Sequence, residues 1–275
     1  MIRSLLFIPA NHPGMMQNAD VFNADAVIFD LEDSVVLSEK DAARDLLKSY
    51  LTKYPLLHKK IIIRINHIDD CDAILTPQVR TILLPKADLD TLNMLDKKLT
   101  LIEKKQKYPF SINVIALIET PESVLNALAI AKANRVSGLL LGAEDLATLV
   151  GISRTSEGKE IEFARHMVIY AAKACQIDAI DTPYTHIGDL EGLKADTKHA
   201  KSLGMNAKAC IHPNQIDIIN QVYMPTQEEI DFAHKVMIAK EKADLDGIGA
   251  FSVDGKMIDQ PIIKRAKNIL NMLED

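Results

Sequence analysis

The chain has 275 residues, of which 32 are Lys or Arg and 38 are Asp or Glu, giving a formal net charge of -6. A chain of this length can bury a large core, either in one α/β barrel or in two smaller domains. The negative balance argues against broad binding to nucleic acid, although a local group of Arg and Lys can still bind an anionic substrate.

The cysteines and the N-terminus indicate a cytoplasmic protein. Cys71, Cys175 and Cys210 are far apart and form no CxxC pair. This usage argues against a disulfide framework or a zinc site and is typical of a reducing compartment. The first apolar run breaks at Pro9, which makes it too short for a signal peptide, and no segment reaches the length of a membrane span. We therefore expect a cytoplasmic location and no membrane partner.

Short apolar runs recur along the chain, with segments of helical periodicity between them. The predicted strands cover residues 4–8, 26–29, 61–65, 81–84, 112–118, 138–141, 179–180 and 207–211. The predicted helices cover residues 15–23, 39–53, 89–107, 122–133, 160–174 and 190–202. This alternation predicts a (β/α)8 TIM-type barrel. A doubly wound α/β sheet is the alternative, but no Gly-rich dinucleotide-binding loop follows the first strand.

In such a barrel, the residues that follow each strand form one functional face. Polar residues follow nearly every predicted strand: Asn11 and His12, Asp30, Glu32 and Asp33, Arg64 and Asn66, Lys86, Glu119, Glu144 and Asp145, Asp181 and Thr182, and His212 and Asn214. Helix capping alone does not call for Arg or Lys at strand ends. The pattern favours an acidic metal site with nearby cations that hold an anionic substrate.

Glu119 and Asp145 are the predicted metal ligands. The apolar runs before them are typical of strands buried on both faces, and Thr120 followed by Pro121 predicts the start of a helix. A strand, a helix and a strand in a unit of this length indicate parallel neighbours, so both carboxylates lie at one rim. Oxygen ligands of this kind suit Mg2+. The alternative is that each carboxylate only caps the helix that follows it.

Residues at the neighbouring strand ends extend this site. Asp30, Glu32 and Asp33 are predicted to lie behind the metal, with one of them reaching it through water. The alternative is that they cap the next helix. Arg64 ends an apolar strand, and its planar guanidinium suits a substrate carboxylate, with a salt bridge to Asp30 or Glu32 as the alternative.

Lys86 and His212 also follow predicted strands. Lys86 can be a Schiff-base lysine, an anion contact or a surface charge, and a metal makes the first of these unnecessary. His212 is expected to be a hydrogen-bonded rim residue and not a metal ligand, because oxygen ligands suffice for Mg2+.

The tail after the eighth strand is expected to form a separate extension. We assign residues 1–222 to the barrel and residues 223–275 to a C-terminal helical extension or lid. A long helix is predicted after Pro225 and Thr226, with acidic residues near its start and lysines towards its end, as the helix dipole favours. From the residues alone, Asp259 is interpreted as the N-cap of a final helix that has Pro261 in its first turn.

Eight motifs occur in order along the chain: RSLLFIPA, AVIFDLEDSV, RIN, LLPKAD, ALIETPES, LLLGAEDL, CIHPNQI and FSVDGKMIDQP. Together they resemble the citrate lyase beta subunit and its stand-alone relatives in the HpcH/HpaI aldolase group. The resemblance runs from Arg3 to the last predicted helix and therefore covers nearly the whole chain. It is far more specific for the family than for the substrate.

The resemblance implies a Mg2+-dependent lyase. Such an enzyme cleaves a carbon–carbon bond of a 3-hydroxy acyl thioester, such as citryl-, citramalyl- or malyl-CoA, to an acetyl thioester and a 2-oxo acid. In that family the residues matching Glu119 and Asp145 hold the metal, and the residue matching Arg64 binds the oxo-acid carboxylate. The residue matching Asp259 transfers a proton, often in the active site of a neighbouring subunit. A homo-oligomer, either a trimer or a hexamer, is implied as well.

The chemistry of cleavage calls for these residue types. Breaking the bond develops an enolate on the thioester side, so a carboxylate must take the hydroxyl proton. Asp259 is the candidate that the resemblance supplies, with Glu32 and Asp33 behind it. No motif for binding the thioester is evident, and Arg3 and Lys86 are predicted phosphate contacts.

The substrate carrier is inferred from the length of one segment. The segment between Arg64 and Lys86 is shorter than expected for subunits of the citrate lyase complex, which favours the stand-alone branch and free CoA thioesters. The alternatives are a beta subunit acting on citryl-acyl carrier protein, a malate-synthase-like condensing enzyme, an aldolase acting on free 2-oxo acids, and an inert barrel that binds a CoA thioester or an oligomeric partner. The complete set of Glu119, Asp145 and Arg64 argues against the inert barrel.

Overall fold

The computed structural model of the chain describes residues 2–54, 59–245, 247 and 250–273. The chain divides into two compact units, one formed by residues 2–221 and the other beginning at Val222. The assignment of residues 1–222 and 223–275 as domains stays a prediction. None of the helices within the described ranges is long and apolar enough to cross a membrane.

Eight parallel strands form a closed barrel in sequence order. They are β1 Ser4–Pro9, β2 Ala26–Asp30, β3 Lys60–Arg64, β4 Thr81–Leu84, β5 Asn113–Ile118, β6 Val136–Leu141, β7 Asp178–Asp181 and β8 Ala207–Cys210. The barrel closes through β1, where Leu5 pairs with Ala26 on one side and with Ala209 on the other. The predicted TIM-type barrel is confirmed, and the doubly wound sheet is wrong.

Helices alternate with these strands. They are α1 Pro13–Gln17, α2 Lys40–Lys53, α3 Asp70–Ile74, α4 Leu89–Gln106, α5 Pro121–Leu125, α6 Ala127–Ala131, α7 Ala143–Val150, α8 Glu162–Ala174 and α9 Leu190–Leu203, with α10 Ile216–Tyr223 after the last strand. Short 3-10 turns cover Leu37–Glu39, Lys159–Ile161 and Pro213–Gln215. The helix predicted over residues 122–133 is divided into α5 and α6, because Asn126 leaves helical geometry at φ -97° and ψ 9°.

The start of α5 confirms the boundary that was predicted from sequence. The Thr120 hydroxyl accepts a hydrogen bond from the Ser123 amide at 3.0 Å, and the Ser123 hydroxyl accepts one from the Thr120 amide at 3.0 Å. Pro121 stands at the first helical position, where its missing N–H costs nothing. The cap fixes the chain directly after Glu119, so β5 ends at a defined point.

The barrel interior is filled by apolar side chains from every strand. The cluster comprises Leu5, Ala26, Ile28, Ile62, Leu83, Ile115, Leu117, Leu140, Ile180, Ala207 and Ala209. Alternate residues of the same strands, such as Val27 and Phe29, are also buried. The strands are therefore buried on both faces, and polar side chains collect at their ends.

The second unit consists of α11 Gln227–Leu245, β9 Phe251–Val253, β10 Lys256–Ile258 and α12 Gln260–Asn271. Its own apolar cluster comprises Ala233, Val236, Val253, Ile258, Ile263 and Ala266. The two strands form an antiparallel hairpin whose turn residues, Asp254 and Gly255, have φ values of 50° and 77°. Positive φ at both positions is what a tight hairpin turn requires. The sequence analysis predicted neither of these two strands.

Candidate active site

A cavity of about 440 Å³ opens at the carboxyl ends of the barrel strands. Its charged lining residues are Asp30, Asp33, Arg64, Glu119, Glu144 and Asp145. Its apolar lining residues include Phe7, Leu117, Leu140, Leu141 and Ile211. The cavity therefore combines carboxylates and one guanidinium with an apolar wall.

Glu119 is the carboxylate that follows β5, and it is 3% exposed. The backbone N–H of Lys86 donates to its Oε1 at 2.6 Å. Burial, together with the negative charges of Glu32 and Asp145, raises the pKa of Glu119 to about 7. A buried carboxylate with two like charges nearby is in an unfavourable environment, which a cation would relieve.

Asp145 lies in the first turn of α7, which begins directly after β6. The positive end of the helix dipole favours a carboxylate at this position. Asp145 lines the same cavity as Glu119, as expected for the ends of neighbouring parallel strands. The structure thus brings the two predicted metal ligands to one cavity.

Gly142 is a functional position that sequence reasoning missed. A Cβ at this residue would lie 2.6 Å from the Cβ of Glu119 and 2.7 Å from its Oε2. Atoms cannot approach that closely, so residue 142 has to be glycine if Glu119 keeps its place. The available signal was a glycine between an apolar strand and a helix with an acidic first turn. The sequence analysis interpreted this glycine only as part of a family motif.

Arg64 is surrounded by carboxylates. Its Nε and Nη2 donate to the two oxygens of Asp30, both at 2.6 Å. Its Nη1 lies 2.8 Å from Glu32 Oε2 and 3.2 Å from Asp33 Oδ2. Burial alone would lower the pKa of Arg64, but Asp30 raises it, so the guanidinium stays charged. The salt bridge named as an alternative is present, and the substrate contact stays a prediction.

Asp30 also shapes the loop after β2. Its Oδ1 accepts from the Glu32 amide at 2.8 Å, and its Oδ2 accepts from the Ser34 amide at 3.1 Å. The next helix, α2, begins only at Lys40. The alternative that these carboxylates cap the following helix is therefore wrong for Asp30, which orders the loop and orients Arg64.

Glu32 joins Arg64 to Lys86. The Lys86 Nζ lies 3.2 Å from Glu32 Oε1, and the lysine side chain is 58% exposed. Burial raises the pKa of Glu32 above its usual range. We call Asp30, Glu32, Asp33, Arg64 and Lys86 the rim charge cluster.

Two further predicted residues lie away from this cluster. Arg3 donates to both carboxylate oxygens of Asp25, at 2.7 and 2.8 Å. Both residues precede their strands, so they lie at the amino ends of the barrel, opposite the cavity. This location argues against the substrate-phosphate contact of Arg3, which stays a prediction. His212 is exposed, and its Nδ1 accepts from the Asn214 amide at 3.2 Å. It is therefore a hydrogen-bonded rim residue, as predicted.

Asp259 belongs to the second unit, where it precedes α12. Its side chain accepts from the Ile262 amide at 3.3 Å, which makes it the N-cap of that helix. The interpretation drawn from the residues alone is thus confirmed. The proton-transfer role that the family resemblance implies stays a prediction.

Asp181 was predicted at the rim, but it points away from the cavity. It is fully buried and contacts Arg165 at 2.9 Å and Lys208 at 2.6 Å. Both cations also contact Asp196. We call Arg165, Asp181, Asp196 and Lys208 the buried charge cluster. Because β7 residues alternate, Ile180 fills the barrel and Asp181 faces the helices around it.

Thr182 is the member of this segment that lines the cavity. Its Oγ1 accepts a hydrogen bond from the Ala143 amide, at the start of α7, at 3.3 Å. The sequence placed Thr182 on the rim and gave it no role, because a contact between two separate loops leaves no local pattern.

Comparison with known proteins agrees with this geometry. The sequence model of the HpcH/HpaI aldolase/citrate lyase family matches residues 3–213. The citrate lyase subunit beta of Escherichia coli is 38% identical, with 99% of this chain and 93% of that protein covered. The (3S)-malyl-CoA thioesterase of Cereibacter sphaeroides is 33% identical, with 99% and 94% covered.

Solved structures agree as well. CitE of Mycobacterium tuberculosis, in complex with magnesium, acetoacetate and coenzyme A, superposes with a TM-score of 0.81 and 30% identity, covering 99% of this chain and 98% of that one. The family match, the relatives and the barrel are mutually consistent. The chain therefore belongs to the HpcH/HpaI aldolase/citrate lyase family, and it is a lyase of the citrate lyase beta subunit type.

Proposed function

We propose that the protein is a Mg2+-dependent lyase that cleaves a 3-hydroxy acyl-CoA, namely citramalyl-, malyl- or citryl-CoA, to acetyl-CoA and a 2-oxo acid. The observation that carries the proposal is the pair of carboxylates, Glu119 and Asp145, in one cavity with Arg64. The names of the relatives support it, because they include citrate lyase beta subunits and a malyl-CoA thioesterase. The magnesium and coenzyme A in the similar structure support the cofactor and the carrier.

The residues of the cavity fit a magnesium ion. Within the described parts of the chain, no group of three or more His, Cys, Asp or Glu side chains could hold a metal. A cation here therefore takes two carboxylates from the protein and its remaining ligands from water and substrate, which is how Mg2+ commonly binds. Burial and the like charges of Glu32 and Asp145 raise the pKa of Glu119 to about 7, which supports a cation beside this carboxylate. When bound, Mg2+ supplies Lewis-acid polarisation of the hydroxyl and carboxylate oxygens of the hydroxy-acid end.

Arg64 is the residue proposed to hold the substrate carboxylate. The Asp30 carboxylate accepts two hydrogen bonds of 2.6 Å from one edge of the guanidinium. Nη1 contacts Glu32 and Asp33, so the guanidinium is held in one orientation beside the cavity, and a substrate carboxylate at Nη1 would take the place of one of these two. A carboxylate bound there is oriented before bond cleavage, at no further cost in arginine side-chain entropy.

Cleavage requires a proton acceptor for the substrate hydroxyl. When the hydroxyl loses its proton, the carbon–carbon bond breaks, its electron pair forms the thioester enolate, and the enolate takes up a proton to give the acetyl group. Asp259 is the proposed acceptor, as the family resemblance implies. Asp33 lines the cavity, and the buried Glu32 has a raised pKa, so these two are the alternatives within the barrel unit.

The central test measures release of acetyl-CoA by the purified protein. Citramalyl-, malyl- and citryl-CoA are supplied in turn, with Mg2+ or with excess EDTA. The Glu119→Gln variant is compared with Glu122→Gln, which changes an exposed carboxylate three residues along the chain. We expect one thioester to be cleaved with Mg2+ only, activity to be lost in the first variant, and activity to be kept in the second.

The outcome separates the candidates. No cleavage of any of the three thioesters, with Mg2+ binding intact, would rule out a stand-alone lyase acting on free CoA thioesters. Free CoA released without a matching 2-oxo acid would indicate thioester hydrolysis. Formation of a longer thioester from acetyl-CoA and a 2-oxo acid as the favoured direction would indicate a condensing enzyme.

Asp259 can be tested separately from its capping role. Asparagine caps helices about as well as aspartate, because its carbonyl oxygen accepts the same hydrogen bond. The Asp259→Asn variant should therefore keep its thermal stability but lose most of its kcat. If Asp259 acts in a neighbouring subunit of a homo-oligomer, a mixture of Asp259→Asn and Glu119→Gln chains should be more active than either variant alone.

A citrate lyase beta subunit that acts on citryl-acyl carrier protein is the second candidate. The 38% identity to the Escherichia coli subunit exceeds the 33% identity to the malyl-CoA thioesterase, and this difference favours it. The short segment between Arg64 and Lys86 favours free CoA thioesters instead. Supplying citryl groups on acyl carrier protein beside citryl-CoA, and comparing kcat/KM for the two, decides between them.

Oligomeric state and location complete the proposal. We propose a homo-oligomer, a trimer or a hexamer, because the resemblance implies a proton-transfer residue from a neighbouring subunit. We propose a cytoplasmic location, because Cys71, Cys175 and Cys210 are all free thiols, as they would be in a reducing compartment. Sedimentation of the purified protein tests the first point.

A further inference from the structure

The helix that carries Asp145 has no cap of its own. Gly142 stands at the N-cap position of α7 and has no side chain to accept a hydrogen bond. A larger residue is excluded there, because its Cβ would collide with Glu119. The first amide of the helix, that of Ala143, is buried and needs an acceptor from elsewhere.

Thr182 supplies that acceptor from the end of the next strand. Its Oγ1 accepts from the Ala143 amide at 3.3 Å. Thr182 is 1% exposed and lines the cavity. The hydroxyl therefore links the end of β7 to the start of the helix that bears a proposed metal ligand.

Thr182 is itself held in place by Lys208. The Lys208 Nζ donates to the Thr182 carbonyl oxygen at 2.8 Å, to Asp181 at 2.6 Å and to Asp196 at 2.7 Å. Three acceptors match the three protons of an ammonium group, and the lysine side chain is 0% exposed. The backbone at residue 182 is thus anchored by a fully satisfied buried cation.

Arg165 completes the anchor from the helix layer. Its Nε and Nη2 donate to the two oxygens of Asp181, at 2.9 and 3.0 Å, and Nη2 also donates to Asp196 at 2.6 Å. Two cations and two carboxylates thus balance within the buried charge cluster. This cluster has no contact with substrate in the proposed mechanism, yet it fixes the strand end that carries Thr182.

We propose that Thr182 is a positioning residue that holds the start of α7, and with it the Asp145 carboxylate, in the geometry that binds the metal. The inference rests on the proposed function, because it concerns the same metal site. Partners that orient a metal ligand commonly change metal affinity tenfold or more when they are removed. Because the start of α7 is already ordered, Asp145 does not have to become ordered when the ion binds.

A purely structural role for Thr182 makes a different prediction. A buried threonine that only supports the fold affects stability and leaves the affinity of the folded protein for metal unchanged. Metal affinity measured on folded protein therefore separates the two roles, and it does not depend on catalytic activity.

The test measures binding of Mn2+, which takes the same oxygen ligands as Mg2+ and is visible by electron paramagnetic resonance. Thr182→Val keeps the shape and removes the acceptor, and Thr182→Ser keeps the hydroxyl. Thr197→Val is the matched control, because Thr197 is buried on α9 and its hydroxyl bonds to Leu193 O at 2.7 Å. We expect Thr182→Val to bind Mn2+ about tenfold more weakly, with wild-type affinity in the other two variants.

Each outcome of the Mn2+ measurement supports or overturns the positioning role of Thr182. Equal Mn2+ affinity in wild type and Thr182→Val overturns the positioning role and leaves the proposed function intact. A wild-type protein that binds no Mn2+ overturns the metal site and this inference together. If Thr182→Val does not fold, Thr182→Ala replaces it, with the same expectation and the same contrary result.

Discussion

The rim charge cluster and the buried charge cluster contain the same types of charged side chain but differ in their charge balance. In the buried charge cluster, Arg165 and Lys208 face Asp181 and Asp196, and the charges balance. In the rim charge cluster, Arg64 and Lys86 face three carboxylates. Glu119 and Asp145 lie nearby and add two more negative charges. The balanced cluster maintains the structure, and the unbalanced one leaves a place for a cation.

This difference is visible in the pKa values. The pKa of Asp196 lies below its usual range, because Lys208 and Arg165 outweigh the effect of burial. The pKa of Glu119 is raised to about 7, because burial and its like-charged neighbours outweigh one backbone hydrogen bond and the charge of Arg64. Carboxylates of similar burial thus differ in the sign of the shift. The sign indicates which of them has its counter-charge within the protein.

The largest expected effect comes from breaking the balance of the buried charge cluster. Lys208→Met leaves Asp181 and Asp196 with one cation between them and leaves the Thr182 carbonyl without its donor. Removing one partner of a buried pair costs about 3–5 kcal/mol of unfolding free energy. Urea unfolding monitored by circular dichroism measures the change.

The paired variant tests the reason for that loss. Lys208→Met combined with Asp196→Asn removes one charge of each sign and should cost less than the sum of the two single variants. If the loss of unfolding free energy in the double variant equals the sum of the two single losses, charge balance does not stabilise the cluster.

The second-largest expected effect is a gain in stability. Glu119→Gln removes a buried carboxylate that is unfavourable without metal and should raise the stability of the metal-free protein by about 1–3 kcal/mol at pH 8. The folded-state pKa is raised, so the wild type is most stable, relative to the variant, below the ordinary carboxylate pKa of 4.5 and loses that advantage up to about pH 7. Thermal unfolding with EDTA at pH 5 and pH 8 measures this.

The comparison of the two pH values serves as the internal control for Glu119→Gln. The gain in stability of the variant over the wild type should be small at pH 5, where the native carboxyl is protonated. At pH 8, Mg2+ should abolish this gain, because it stabilises only the wild type. A variant that is less stable than wild type at both pH values would contradict the unbalanced charge of the cavity.

A smaller effect is expected at Gly142. Gly142→Ala places a Cβ 2.6 Å from the Glu119 Cβ, so the Glu119 side chain must move. We expect metal affinity to fall about tenfold. Gly188→Ala is the control, because nothing lies within 4 Å of its added Cβ. Mn2+ titration of both variants tests this, and equal affinities would show that Glu119 can shift without losing the ion.

The smallest effect is expected at the amino ends of the strands. Arg3→Gln removes the part-exposed pair with Asp25 and should cost less than about 1 kcal/mol of stability. Because Arg3 lies opposite the cavity, kcat/KM should stay within about twofold of wild type. A large rise in KM for the thioester would restore Arg3 as a substrate contact.

Much of the fold was predictable because the barrel repeats a single local pattern. Each apolar run is short, each is followed by a polar residue, and parallel strands end on one rim. Boundaries were less predictable: β6 begins at Val136, before the predicted residue 138. Its pairing with β5 has a register shift at Val114 and Ile115, which sequence periodicity does not show.

The site was predictable only as a set of residues. Glu119, Asp145, Arg64 and Asp30 were all expected at the cavity, because strand ends determine their location. Their partners were not, because a side-chain pair across two strands depends on distances that no single strand specifies. Lys208 illustrates this limit, since a lysine in a short strand gives no sign that it is fully buried.

One backbone feature changes how the site should be mapped by mutation. Lys86 has a left-handed backbone, with φ 46°, and it holds Glu119 through its amide and not through its side chain. An alanine scan would report only the exposed Nζ contact with Glu32 and would assign position 86 a minor role. Proline would remove the amide donor altogether, and glycine would keep the donor while relieving the backbone strain. A map built from side-chain deletions alone would thus overlook a backbone donor that contacts a proposed metal ligand.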